Sequence, residues 1–236
     1  MAIADLRREY SVSDLRRADL NLDPLAQFSK WFQQALETKS SGGLLRRIAI
    51  ATHKWFQIAS GNTPTEANAM TLATADKNGR PAARMVLLKG VDKRGFIFFS
   101  HYEGPKGRDL DENPQAALVF YWPELERQVS VGGTVSRVPR EESEAYFKTR
   151  PKGNRLAAWV SRQSEIVSNQ QALEARFHQL ARQYSSGDIP APPYWGGYVL
   201  SPVRIEFWQG RPNRLHDRFR YTRQSADTWL IERLAP

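Results

Sequence analysis

At residue 69 the chain changes to a period of two, and this constrains its fold more than any other feature. "AMTLATA" (69–75), "ARMVLLKGV" (83–91) and "FIFFS" (96–100) follow one another, joined by "DKNGR" and "DKRG". Runs this short, rich in β-branched and aromatic residues and separated by Asp/Asn/Gly turns, predict an antiparallel β-meander. Further strands are predicted at 116–122, 127–138, about 198–209, 215–222 and 228–233, with Gly132 and Gly133 marking a bulge. Six or more antiparallel strands with short helices between them predict a mainly β fold, a small closed barrel.

The helical patterns lie around this frame. Asp23 reads as an N-cap and Pro24 as a first helical residue. Leu25, Phe28, Phe32 and Leu36 then keep helical spacing, which predicts a helix over 24–38. "SSGG" (40–43) breaks it, and Leu44, Leu45, Ile48, Trp55, Phe56 and Ile58 predict a second helix over 44–59. Shorter helices are predicted at 105–113, 140–150 and about 169–184. The chain thus divides into an arm (1–23), a helical segment (24–65) and a barrel domain (66–236).

Lys and Arg number 34 against 25 Asp and Glu, a net charge of +9, so the expected partners are anionic. Cysteine is absent, which excludes disulfides, thiolate metal sites and cysteine nucleophiles. With four His, no metal site is expected. No run approaches the ~18 apolar residues of a membrane span, and the N-terminus has no apolar leader. The expectation is a cytoplasmic protein.

Four places carry candidate chemistry. In "EFWQGRPNRLHDRFRY" (206–221), extended alternation puts Arg214, His216, Arg218 and Arg220 on one face and Leu215, Asp217 and Phe219 on the other. Like charges side by side need an anion against them. An edge strand also carries cations to block aggregation, but Arg flanked by Trp208 and Tyr221 suits planar recognition of phosphate or carboxylate. In "RMVLLK" (84–89), alternation puts Arg84 and Lys89 on opposite faces, so the strand either serves two sites or bulges. Tyr146 and Arg150, four residues apart, stack on a last helical turn and together suit a phosphate. Gly104 and Pro105 start a helix beside Lys106, where free N–H groups favour an anion. Scattered anion recognition with aromatics nearby fits two flat phosphorylated ligands, and it also fits nucleic acid.

The order of "LRREY", "RMVLLK", "LERQVSVGG", "AYFKTRP", "AWVSRQS", "YWGGYVLSP", "IEFWQG", "RLHDRF" and "IERLAP" over 5–38 and 66–236 resembles the pyridoxine/pyridoxamine 5′-phosphate oxidases. The resemblance implies an FMN-binding split β-barrel and a homodimer with its flavin sites at the subunit interface. It also implies oxidation of the vitamin B6 phosphates to pyridoxal 5′-phosphate, with O₂ giving H₂O₂, and neither a nucleic-acid nor a membrane partner. It assigns to FMN the residues Arg84, Met85, Val86, Leu87, Leu88 and Lys89, then Phe99, Ser100, Lys106, Gln128, Gln163, Ser164, Trp208 and Arg218. Substrate phosphate falls to Lys89, Tyr146, Arg150 and Asn154. Arg214, Leu215 and His216 face the pyridine ring, with Arg214 and His216 the catalytic pair. Arg7, Arg8, Glu9 and Tyr10 form a lid. The sequence departs from the family at Pro105, where an Arg is usual, at Asn154, where a Ser is usual, and in the insertion 40–65. The competing readings are another split-barrel flavoprotein with a different substrate, or a binding protein without catalysis; Tyr146 with Arg150 argues against the first, and Arg214 with His216 against the second.

Overall fold

The computed structural model describes residues 9–40, 66–185 and 187–236. Arg7, Arg8 and the predicted helix 44–59 lie outside them. The elements run α1 (Pro24–Ser40), β1 (Ala69–Ala75), β2 (Pro81–Asp92), β3 (Gly95–His101), α2 (Pro105–Glu112), β4 (Gln115–Trp122), β5 (Arg127–Arg137), α3 (Arg140–Thr149), α4 (Lys152–Val160), α5 (Gln170–Gln183), β6 (Trp195–Gln209), β7 (Asp217–Arg223) and β8 (Trp229–Leu234). The sheet order is β3-β2-β1-β4-β5-β6-β7-β8, and β3 also pairs with β6. That extra pairing closes six strands into an antiparallel barrel, with β7 and β8 added beyond it. Among the described residues no helix is long and apolar enough to cross a membrane.

The turns form where Asp and Gly demand them. The Asp76 carboxylate accepts the N–H groups of Asn78 (2.8 Å) and Arg80 (2.9 Å), and Gly79 takes φ +78°. In the next turn Gly95 takes φ +135° and the Arg94 N–H donates to the Asp92 carboxylate. Strand β5 runs on through Gly132 and Gly133. A register shift lies in β2: Leu88 pairs with Phe98 and Gly90 with Ile97, so Lys89 is the extra residue of a bulge.

The chain folds into two compact units. The first comprises Met1–Thr71, Leu118–Gly132 and Pro202–Pro236. Its core forms around α1, started by the Asp23 carboxylate, which accepts the Leu25 N–H (2.9 Å). The buried stripe is Gln27, Phe28, Trp31 and Ala35, while Leu36 is exposed, so the helix is turned from the predicted stripe. Trp31 explains the difference. Its ring packs edge-on against Phe207 at 5.2 Å and lies under the Arg127 guanidinium at 4.4 Å, a slot that Leu36 would leave unfilled.

The second unit comprises Leu72–Ala117 and Gly133–Ser201. Phe147, Leu156, Ala158, Ile189 and Trp195 form one buried cluster, and Ile97, Val138 and Val199 another. Two elements differ from expectation here. Residues 152–160 form α4, where the sequence pattern predicts no element. Strand β6 begins at Trp195 instead of 198, because Gly196 and Gly197 are strand residues paired with Ser100 and Phe99. A side chain at Gly196 would collide with the Tyr102 hydroxyl, and one at Gly197 with Val138 and Phe99. These glycines mark close packing where the "WGG" run reads as a loop.

Gly107 sits in α2 with no room for a Cβ against the Tyr102 carbonyl, which is backbone and cannot swing aside. Gly107→Ala is therefore expected to destabilise the fold by roughly 3 kcal/mol, measured by urea unfolding, with an effect below roughly 1 kcal/mol contradicting this packing.

Candidate active site

The second unit contains a cavity of about 430 Å³. Strand β2 contributes Met85, Val86, Leu87 and Lys89; β3 contributes Phe99 and Ser100; α2 contributes Lys106. Tyr146, Arg150, Asn154 and Gln163 complete the predicted residues found there, and Thr149, Pro151 and Trp195 line it as well. Met85, Leu87 and Lys89 share one strand face by alternation, and Arg84, on the opposite face, does not line the cavity. Instead Arg84 donates to the Thr74 hydroxyl (2.6 Å) and the Leu72 carbonyl (3.3 Å), with Asp109 at 3.6 Å. Leu88 points into the core.

Of the three cations that line the cavity, Lys89 is exposed and the other two are withdrawn from water. Lys106 is buried, 7% exposed, and its ammonium donates to the Gln163 amide oxygen. Arg150 lies just past the end of α3, as its C-cap residue rather than on its last turn as predicted. Its guanidinium stacks over the Trp195 ring at 4.9 Å, and its Nη1 is buried without a hydrogen-bond partner. Among the described residues no carboxylate lies within salt-bridge distance of either. Burial holds both pKa values below their ordinary ones, with Arg84 adding to the effect on Lys106. Buried cations without counter-ions are costly unless an anion completes them. Beside them Phe99 and Tyr146 stack at 4.0 Å between centroids, 22° apart, giving the cavity a flat aromatic wall.

Gly104 caps α2 and Pro105 is its first residue, as predicted. Arg108 turns back to the Glu103 carbonyl and does not line the cavity. Ser164 follows Gln163 at φ +68° and is exposed. Trp195 is the residue that sequence reasoning missed. Its signal was the "YWGG" run, since a Trp beside an Arg-rich cavity is a natural surface for a guanidinium.

The first unit holds the other predicted residues. Extended alternation fails before Asp217. Pro212–Arg214 is a 3-10 turn, with Asn213 at φ +55° and Arg214 at φ +63°, so Arg214 and His216 are not strand residues. From Asp217 the alternation holds, with Asp217, Phe219 and Tyr221 buried and Arg218 and Arg220 on the opposite face. Neighbouring strands supply the anions that this face needs. Arg218 pairs with Glu206 (2.8 Å) on β6 and donates to the Ala235 carbonyl (2.9 Å); Arg220 pairs with Glu232 (2.8 Å) on β8. Arg214 is exposed, beside exposed Leu215, and forms no salt bridge among the described residues. Gln128 is half-buried on β5 and Glu9 is exposed.

Tyr10, Trp208 and His216 form an aromatic cluster. Tyr10 stands edge-on to Trp208 (5.5 Å) and to His216 (5.6 Å), and Trp208 lies 4.8 Å from His216. The Arg211 N–H donates to His216 Nδ1 (3.1 Å), so the neutral ring carries its proton on Nε2. Burial, then the charge of Arg214, lowers the His216 pKa below 6.5. At neutral pH His216 is thus a hydrogen-bond donor at Nε2 rather than a base. Its contribution to folding is present above the ordinary value and is lost as pH falls through the lowered folded-state value. Nitrogen-15 NMR at pH 7 is expected to show the Nε2-protonated tautomer with a midpoint below 6.5 that rises in Arg214→Ala; an Nδ1-protonated ring would contradict the assignment.

The family model for pyridoxamine 5′-phosphate oxidase matches residues 62–184, and that for the pyridoxine 5′-phosphate oxidase C-terminal dimerisation region matches 195–236. A pyridoxine/pyridoxamine 5′-phosphate oxidase of Paraburkholderia phymatum is 48% identical over 234 residues, 99% of each chain. Among solved structures, PhzG from Burkholderia lata, in complex with tetrahydrophenazine-1-carboxylic acid, superposes with TM-score 0.78 at 28% identity, over 96% of this chain and 100% of that one. A pyridoxamine 5′-phosphate oxidase-related, FMN-binding protein from Nostoc punctiforme shares the fold, with TM-score 0.60 at 19% identity over 78% of this chain and 98% of that one. Matched along its whole length at nearly half identity, and by both family models in order, the chain belongs to the pyridoxine/pyridoxamine 5′-phosphate oxidase family.

Proposed function

We propose that this protein oxidises pyridoxine 5′-phosphate or pyridoxamine 5′-phosphate at C4′ to pyridoxal 5′-phosphate, as a homodimer that uses FMN. The alcohol and O₂ give the aldehyde and H₂O₂; the amine also consumes water and releases ammonia. FMN, when bound, takes up two electrons from the substrate and passes them to O₂. The observation that carries the reading is two cations without counter-ions in one cavity, the buried Lys106 and the half-buried Arg150, whose Nη1 is shut away from water and unbonded. Two phosphorylated ligands supply the two anions such a cavity calls for, and the residues present fit both.

In this reading Lys106, the N–H groups at the start of α2, Ser100 and Gln163 hold the FMN phosphate, and Met85, Val86, Leu87 and Lys89 run along the flavin. Gln128, Ser164, Trp208 and Arg218 are its further contacts. Pro105 removes one cation and one N–H from the helix start, so FMN phosphate is held less tightly than an Arg there would allow. Lys89, Tyr146, Arg150 and Asn154 hold the substrate phosphate, with Arg150 preset on Trp195 so that little side-chain freedom is lost on binding. Arg214 orients the C4′ substituent and steadies negative charge on its oxygen; a guanidinium stays protonated and is no base. His216 donates from Nε2 to the substrate, and Leu215, Glu9 and Tyr10 shelter it from water.

The test is the absorbance of the FMN-loaded protein under anaerobic conditions. Pyridoxine 5′-phosphate should bleach the flavin band, and admitting O₂ should restore it. A band that persists sinks the reading. Arg150→Met, which keeps contact with Trp195 but removes the charge, is expected to raise KM roughly a hundredfold with the flavin spectrum unchanged. An unchanged KM would move the substrate phosphate elsewhere.

A further inference from the structure

The turn between β4 and β5 contains a residue whose conformation does not suit it. Glu126 has φ +53°, a left-handed backbone that Gly or Asn adopts at little cost and Glu does not. It is also 2% exposed. The turn itself is secured without the side chain. The Gly210 N–H donates to the Glu126 carbonyl (2.8 Å), and the Gln209 amide donates to the carbonyls of Leu125 (3.1 Å) and Glu126 (3.3 Å). What Glu supplies here, and Gly or Asn would not, is a carboxylate at the end of two methylenes. Its Oε2 accepts the backbone N–H groups of Ser11 (2.8 Å) and Val12 (2.9 Å). Residues of the arm therefore hang on a buried carboxylate far away in sequence.

The same stretch is shaped from its other side. A Cβ on Gly210 would lie 2.8 Å from Tyr10 Cγ, so the bare glycine is what admits the Tyr10 ring. That ring, next in sequence to the tethered Ser11, stands edge-on to Trp208 and His216. Further along, Leu15 is buried and its N–H donates to the Asp217 carboxylate (3.1 Å), which keeps the arm beyond the tether in place.

We propose that Glu126 is a positioning residue for the reaction: by fixing the Ser11 and Val12 amides it holds Tyr10 over His216 and Trp208, where the arm closes on bound substrate. The inference rests on the reading that His216 faces the substrate. The carboxylate then acts on substrate affinity through the arm, without touching substrate or flavin.

The experiment uses the full-length, FMN-loaded protein and the variants Glu126→Asn, Glu126→Gln and Gly210→Ala. Asn suits the left-handed turn but is too short to reach the arm. In Glu126→Asn, hydrogen exchange at the Ser11 and Val12 amides should lose its protection, and KM for pyridoxine 5′-phosphate should rise about tenfold while kcat stays within about twofold. Glu126→Gln, which keeps an acceptor oxygen, should restore most of both. Gly210→Ala should raise KM to a similar extent by displacing the Tyr10 ring. A merely structural role would lower the melting temperature and leave KM alone. Protected amides in Glu126→Asn overturn the proposal, as does lost protection with unchanged KM. Should Glu126→Asn fail to fold, an unchanged KM in Gly210→Ala overturns it. Wild-type protein without oxidase activity would sink the functional reading, yet the exchange data would still decide whether Glu126 holds the arm.

Discussion

Antiparallel pairing of β3 with the first part of β6, from Phe96 opposite Leu200 to His101 opposite Trp195, closes the barrel, and the cavity is built on that seam. The seam places Phe99 and Ser100 on one strand beside Trp195 on the other. It depends on Gly196 and Gly197, whose missing side chains let Tyr102, Phe99 and Val138 approach the strand. Tyr102 in turn stands under Gly107, which fixes the start of α2 and with it Lys106. A single backbone constraint, close approach at three glycines, thus carries through packing to the position of a cation.

Electrostatics completes what the seam begins. Elsewhere on the surface, arginines are matched: Arg94 with Asp92 and Glu142, Arg137 with Asp111, Arg218 with Glu206, Arg220 with Glu232. Most of these pairs are exposed and contribute little to stability. Lys106, which is buried, and Arg150, half-buried with its Nη1 out of reach of water, are the contrast, since both are unmatched. Their desolvation is a standing cost that a phosphate would offset, so the cavity is held ready for an anion at the expense of folding stability.

Much of this was legible in the sequence because it is local. Period-two runs with Asp/Gly turns located the meander, and Asp23 with Pro24 located the start of α1 within a residue. Local order also explains why Lys89, Tyr146 and Arg150 could be singled out. What could not be read depends on partners distant in sequence. The stripe of α1 turned toward Trp31 because Phe207 and Arg127 wait there. The "WGG" run proved to be strand because Tyr102 and Phe99 fill the space above it. The three cations read as one strand face separated once Asn213 and Arg214 went left-handed, and Glu206 and Glu232 answered the other two. The opposed faces read for Arg84 and Lys89 hold: Lys89 lines the cavity, while Arg84 turns to Thr74, Leu72 and Asp109.

The central claim is that Lys106 is an unmatched cation held for the phosphate of a flat cofactor. Calorimetric titration of the apoprotein with FMN and with riboflavin, which differ only in that phosphate, tests it most directly. FMN is expected to bind at least about a hundredfold more tightly, and the preference to disappear largely in Lys106→Met. Equal affinity for the two flavins, or a preference that survives removal of the ammonium, would contradict it.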